Sequence, residues 1–408
     1  MDTKVLLYKL LPFLVLLLPA GLIFIVIAAT AGAEGMRNFP SEVAVGDIVH
    51  VATGEKVSFS QLADFLDEAR VVYVGEVHTN AESHEFQLQV LKEFYERFGD
   101  NIAIGMEMFK RPYQPVLDRW VNGEISEDEL LRETYWKQEW GYDYGLYKDI
   151  MDFAREKKIP VIALNVSKEL RKKVSRKGLS GLNDAEKNEL PEIDTTDFYH
   201  RRYLQKVFRS HTDMSGDFDK FYDVQCVWED VMADSISRFL ATPRGKGKRL
   251  LAFMGDSHIV YHFGVPKRAF HRTHLPYLTI YTYELRHLGP DEEDALFLDD
   301  IPLQPADFVR VIHPSKRKER RAVLGVMIRD IGWDKVVIQD VLKGSPAEAA
   351  GLQVGDIVLS MDGQQIREVQ DIILHLRSKK LGGSCDIEIS REGKRMPVHI
   401  SFFEMKER

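Results

Sequence analysis

Four short apolar runs punctuate the chain, and each ends in polar residues able to do chemistry: VVYVGEVH (71–78), IAIGMEMF (102–109), VIALNVS (161–167) and RLLAFMGDSH (249–258). They are apolar throughout rather than alternating, the pattern of strands covered on both faces. The stretches between them have helical spacing. Phe86, Val90, Leu91, Phe94 and Phe98 form one stripe along 82–98, and Leu146, Ile150, Met151 and Phe153 another along 146–157, with Pro160 opening the next strand. This order predicts an α/β fold: a mostly parallel sheet with flanking helices and right-handed crossovers. If the runs are neighbours, Glu76, His78, Glu107, Asn165, Asp256 and His258 emerge at one sheet edge, where open α/β sheets take ligands. In extended backbone, residues two apart share a face, which pairs Glu76 with His78 and Asp256 with His258.

Between the third and fourth runs lies a polar, helical insertion, 183–240. Its stripe of Phe218, Phe221, Tyr222, Val224, Gln225, Trp228 and Met232 predicts a helix that packs on the sheet and caps the cleft. After a last strand at 278–283 come an acidic run (291–300), Pro302, Pro305 and a basic run (316–321), which together read as an exposed connector. Beyond it the pattern changes. A strand is expected at 336–341, a short helix in SPAEAAGL (345–352) capped by Ser345 with Pro346 at its first position, and a hairpin around Asp362-Gly363. A helix at 369–377 and strands at 385–390 and 396–402 complete the unit.

SPAEAAGLQVGDIVLSMDGQQI, with Leu324, Gly325 and Val326 upstream, resembles a bacterial PDZ domain. The resemblance implies a loop at Leu324, Gly325 and Val326 that holds a peptide carboxylate, and a following strand that accepts a C-terminal peptide or partner protein by edge pairing. The expected organisation is therefore 1–35 as signal peptide or membrane anchor, 45–288 as the α/β domain, 289–320 as linker and 321–404 as PDZ domain.

Composition sets outer bounds. A chain of 408 residues, 44% hydrophobic, has room for such domains, and a net charge of -8 argues against a general nucleic-acid binder. The two cysteines, Cys226 and Cys385, fall in different domains, which disfavours a disulfide framework. Lys4 and Lys9 precede an apolar stretch at 10–33 that is long enough to span a membrane and offers small-x-small cleavage sites. Either outcome puts the remainder outside the cytoplasm, in the periplasm or cell envelope, anchored in the inner membrane or released after cleavage.

The candidate site lacks several common signatures. There is no G-x-x-x-x-G-K-[ST] run and no dinucleotide glycine fingerprint, and Ser257 in GDSH lacks the second glycine of a hydrolase elbow. What remains is a set of carboxylates and histidines suited to a divalent metal or to acid-base work.

Five blocks in order, GEVHTNAESH (75–84), GMEMFKRPYQPVLDRW (105–120), EWGYDYGLYKDIM (139–151), PVIALNVSKELRKKV (160–174) and MGDSH (254–258), resemble the ChaN-like haem-binding uptake family within the superfamily of Tiki-type proteases and erythromycin esterase-like proteins. The resemblance implies haem as cofactor, with a tyrosine on iron and a histidine at the propionates. Tyr142, Tyr144, Tyr147, Tyr199, Tyr203 and His84 are the candidates. The Tiki-type branch implies instead a divalent metal on His78 and His258. Glu76 and Glu107 would then be ligands or the catalytic base of a hydrolase or protease, and Asn165, Arg111 and Asp256 would orient the substrate. A non-catalytic envelope scaffold is the third reading, and a homodimer fits any of them. Whether the chain is an enzyme stays open at this level, and no lipoprotein cysteine ends the apolar stretch.

Overall fold

In the computed structural model, residues 40, 42–210, 217–285, 301, 303–315, 322–331, 335–377 and 379–403 are described. The apolar stretch 10–33, the acidic run 291–300, Pro302 and the basic run 316–321 lie outside them.

The four apolar runs become β3 (Val71–Glu76), β4 (Ile102–Lys110), β5 (Val161–Asn165) and β6 (Arg249–Gly255), joined by β7 (Tyr277–Glu284). With β1 (Ile48–His50), β2 (Glu55–Val57) and β8 (Phe308–Ile312) they form one sheet in the order β2-β1-β8-β7-β3-β6-β4-β5. From β8 to β5 every neighbouring pair is parallel, and β1 is antiparallel to both of its neighbours, β8 and β2. Alternation along each strand feeds two cores. Val72 and Val74 of β3 face the helices Ala81–Phe98, Gln114–Asn122 and Lys148–Glu156, whereas Val71 and Tyr73 face Phe218–Ala241 and Val265–Thr273. Both faces are covered, which is why the strands carry no polar alternation.

Two expectations need correction. The segment read as connector contains β8, whose Phe308, Val309, Val311 and Ile312 are buried and which pairs with β7 and β1, so the first sheet extends to Ile312. The insertion is less a lid than a layer: Phe218–Ala241 is the crossover helix between β5 and β6, and Met232, Ala233 and Ile236 sit in the second core.

The C-terminal unit is a separate antiparallel sheet, β14-β13-β11-β10-β9, with β12 paired to β11. It consists of β9 (Val326–Asp330), β10 (Val336–Val341), β11 (Ile357–Met361), β12 (Gln364–Gln365), β13 (Ser384–Arg391) and β14 (Lys394–Ser401). Ser345 caps the short helix Pro346–Ala349 by accepting from Glu348 N, as its sequence predicts. The helix Val369–Arg377 has its first N–H bonded to Asp330 at the end of edge strand β9.

Candidate functional site

The central strands β3, β6 and β4 stop side by side, and their last residues build the site. Gly255 N at the end of β6 donates to Glu107 Oε2 of β4 (2.8 Å), while the His78 ring after β3 lies over Gly255, 2.9 Å from where a Cβ would stand. Glycine is required there because any side chain would displace His78. Gly75 is equally constrained, since its Cβ would fall 1.9 Å from Asp256 Oδ1.

Glu76 is the hub of one half. Oε1 lies 2.7 Å from His78 Nδ1 and accepts the Tyr147 hydroxyl at 2.7 Å. Oε2 accepts Gln87 Nε2 at 3.0 Å and faces His84 Nδ1 at 3.6 Å. Both oxygens are thus occupied, and Glu76 orients His78. The second half centres on His258, whose Nε2 faces Glu107 Oε1 (3.5 Å) and whose Nδ1 faces Glu229 Oε1 of the 218–241 helix (3.4 Å). Glu229 in turn holds His200 Nε2 and Arg268 Nε, each at 3.3 Å.

Electrostatics follow from these pairs. Burial alone would lower the His258 imidazole, but Glu107 and Glu229 outweigh it and raise it to about 10. Burial would likewise raise Glu107, yet His258, His78 and the Gly255 N–H hold it down at about 2. His78 is raised by Glu76 and Glu107 against its desolvation. Asp256 goes the other way: burial pushes it up to about 8 although it accepts Thr282 N at 3.0 Å and contacts Thr282 Oγ1 at 2.7 Å.

Glu76, His78, Glu107 and His258 are therefore brought together as expected, but as two carboxylate–imidazole pairs. Among the described residues, the group of three metal-type donors within 4.8 Å of one another is Asp362, His375 and Cys385 in the C-terminal unit, where Lys379 already pairs with Asp362. Asp256 does not share a face with His258. Residues 256–258 turn into a 3-10 helix, which sends Asp256 toward β7. Asn165 donates to the Glu107 carbonyl (2.8 Å) and braces that strand end. Arg111 is tied to Ser235, Val231 O and Asp234, and lines a separate groove at the β5 edge with Gln114 and Phe239. In this arrangement each of the three makes hydrogen bonds within the protein.

The tyrosines separate by burial. Tyr144 and Tyr147 are enclosed beneath Trp136, each ring 5.3 Å from it, and Tyr203 packs against Tyr261 in another cluster. Tyr199 is exposed beside Phe198, and His84 is buried against Tyr147. Tyr142 alone of these is half-buried beside the strand ends, 4.8 Å from the His78 ring, with Trp140 4.8 Å from the same ring. Trp228 stands 5.4 Å from His258 and forms the other wall. Sequence patterning missed Glu229, Lys110, Trp140 and the role of Trp228. The available signals were an acidic pair, Glu229-Asp230, in an otherwise buried helical stripe, and a lysine ending an apolar strand.

A mostly parallel α/β sheet with buried carboxylate–imidazole pairs and aromatic rings at its strand ends, followed by a small PDZ sheet, is the class this architecture defines. The chain belongs to the haem-binding uptake, Tiki superfamily, ChaN family, whose model matches residues 62–269, just over half of its length. A PDZ domain model matches 312–401. A solved structure of ChaN of Campylobacter jejuni with cofacially bound haem is 18% identical with a TM-score of 0.49, and covers 64% of this chain and 95% of that one. In the C-terminal region the chain is 35% identical over 99 residues to a probable periplasmic serine endoprotease DegP-like of Pseudomonas putida, 22% of this chain and 21% of the relative. A protein of the same description from Marinomonas is 34% identical over 98 residues, 21% of each chain. The chain thus spans about a fifth of the length of these curated relatives.

Gly325 takes φ +75°, a left-handed conformation glycine adopts freely, and Leu324 is buried with its carbonyl accepting Ala347 N. Val326 opens edge strand β9.

Proposed function

We propose that the strand-end cleft binds haem, with Tyr142 on the iron and His78 beside it, in an envelope protein whose PDZ domain docks a partner's C-terminus. The observation that carries this is the position of Tyr142: of the candidate tyrosines it is the half-buried one at the strand ends, next to an imidazole and an indole. The donor set fits the group. A bound haem supplies a ferric centre, for which a phenolate is a suitable hard ligand, and the Trp140 and Trp228 rings offer apolar walls.

Burial, with Glu107 and Glu76 nearby, holds the Tyr142 phenol above its ordinary value. Ligation must release that proton, so ferric-haem affinity should rise with pH. Titrating ferric haem into the purified protein at several pH values tests this: a saturable Soret band that tightens as pH rises is expected, and no saturable band would overturn the reading. A metal-dependent hydrolase draws less support from Glu76, both of whose oxygens accept hydrogen bonds from protein side chains. The envelope location is supported by the apolar stretch at 10–33 and by the periplasmic description of the PDZ relatives. Among the described residues no helix is long and apolar enough to cross a membrane. Edge strand β9 and the 369–377 helix beside it support peptide docking.

A further inference from the structure

Lys110 ends β4 three residues beyond Glu107 and is only 4% exposed. Among the described residues its ammonium has no hydrogen-bond or ion-pair partner. Its Nζ stands 5.2 Å from the centroid of Trp140, the indole beside His78. A buried lysine without a counter-ion is costly, and burial lowers it to about 8. On the helix Lys168–Lys177, Arg171 places its guanidinium 4.6 Å from the centroid of Trp228, the indole beside His258. Arg171 likewise makes no ion pair among the described residues. Glu107 and Glu139 act on Lys110 from a distance, with Arg171 and Lys168 opposing them, yet neither carboxylate forms an ion pair with it among the described residues. Glu139 itself has a buried Oε2 without a partner.

The two indoles are therefore placed alike: each lies against a strand-end histidine, with a cation over it that no ion pair neutralises among the described residues. Such a pair of cations suits a planar ligand carrying two carboxylates, because each carboxylate can replace water at one cation while the ring lies between the indoles. We infer that Lys110 and Arg171 form an anion subsite that takes the two carboxylate arms of the cleft's planar ligand. This rests on the haem reading and adds that the cleft selects the free-acid porphyrin.

The test compares ferric protoporphyrin with its dimethyl ester, on the wild-type protein and on Lys110→Met and Arg171→Met. One charge-assisted hydrogen bond corresponds to about a ten- to hundredfold affinity difference. Wild type should prefer the free acid by at least that factor, and each substitution should reduce the preference while leaving ester affinity nearly unchanged. Equal binding of both porphyrins by wild type, or a full preference retained in both variants, overturns the subsite while leaving haem binding intact. Binding of neither porphyrin overturns the haem reading and the subsite with it. Ligand-free melting gives a second readout. Lys110→Met should raise Tm if the lysine awaits an anion, and a clear fall would show that it serves packing instead.

Discussion

Replacing Glu107 by Gln perturbs the site with little change in shape, and its effect can be worked from the structure. The side chain is buried, accepts Gly255 N–H at 2.8 Å and faces His258 at 3.5 Å. The amide oxygen can keep the first contact, but the charge opposite His258 is lost. With His258 held at about 10 against an ordinary 6.5, its two carboxylates stabilise the fold by an amount on the order of 5 kcal/mol. Removing one of them should cost about 3 kcal/mol, the low end for breaking a buried ion pair. For a domain of this size that lowers Tm by roughly 6–12 °C. The sign with pH is fixed. Between 6.5 and about 10 the native protein holds a proton on His258 that the unfolded chain has lost, so stability is complete below 6.5 and falls as pH rises through about 10. Thermal unfolding by circular dichroism from pH 6 to 10 should show this decline in wild type and a shallower one in Glu107→Gln. An unchanged Tm with a slope matching wild type would show His258 to be neutral and refute the argument.

Other outcomes follow from neighbouring residues. Asp256, raised to about 8 by burial, weakens the fold progressively as pH rises from about 4 toward 8, so Asp256→Asn should leave Tm unchanged at acid pH and raise it at pH 8. A lower Tm at pH 8 would mean the carboxylate is needed. Gly255→Ala puts a Cβ 2.9 Å from His78 Cε1 and should cut haem affinity about tenfold by displacing the imidazole, with only a small change in melting. Unaltered affinity would remove His78 from the site.

The sheet was readable because strands buried on both faces carry no polar positions, and the PDZ unit because its cap and turn residues are local chemistry. The strand β8 was not. Its five residues sit among prolines and charge runs, and its partners, β7 and β1, are distant in sequence. The pairing of Glu76 with His78 was legible from spacing alone. That of Asp256 with His258 failed because the chain leaves the extended state at Gly255. Which tyrosine can reach a ligand was beyond any pattern: Tyr142, Tyr144 and Tyr147 are near neighbours in the chain, and only packing against Trp136 buries two of them. Lys110, at the end of an apolar strand, and Glu229, inside a helical stripe, escaped notice because such a charge reads as solvated until its burial is seen.

The haem site centred on Tyr142 is tested most directly by titrating ferric haem into wild type, Tyr142→Phe and Tyr144→Phe while recording the absorption spectrum. Tyr142→Phe should lose the phenolate-to-iron absorption and at least about tenfold in affinity, with Tyr144→Phe matching wild type. Retention of both spectrum and affinity in Tyr142→Phe would contradict the account.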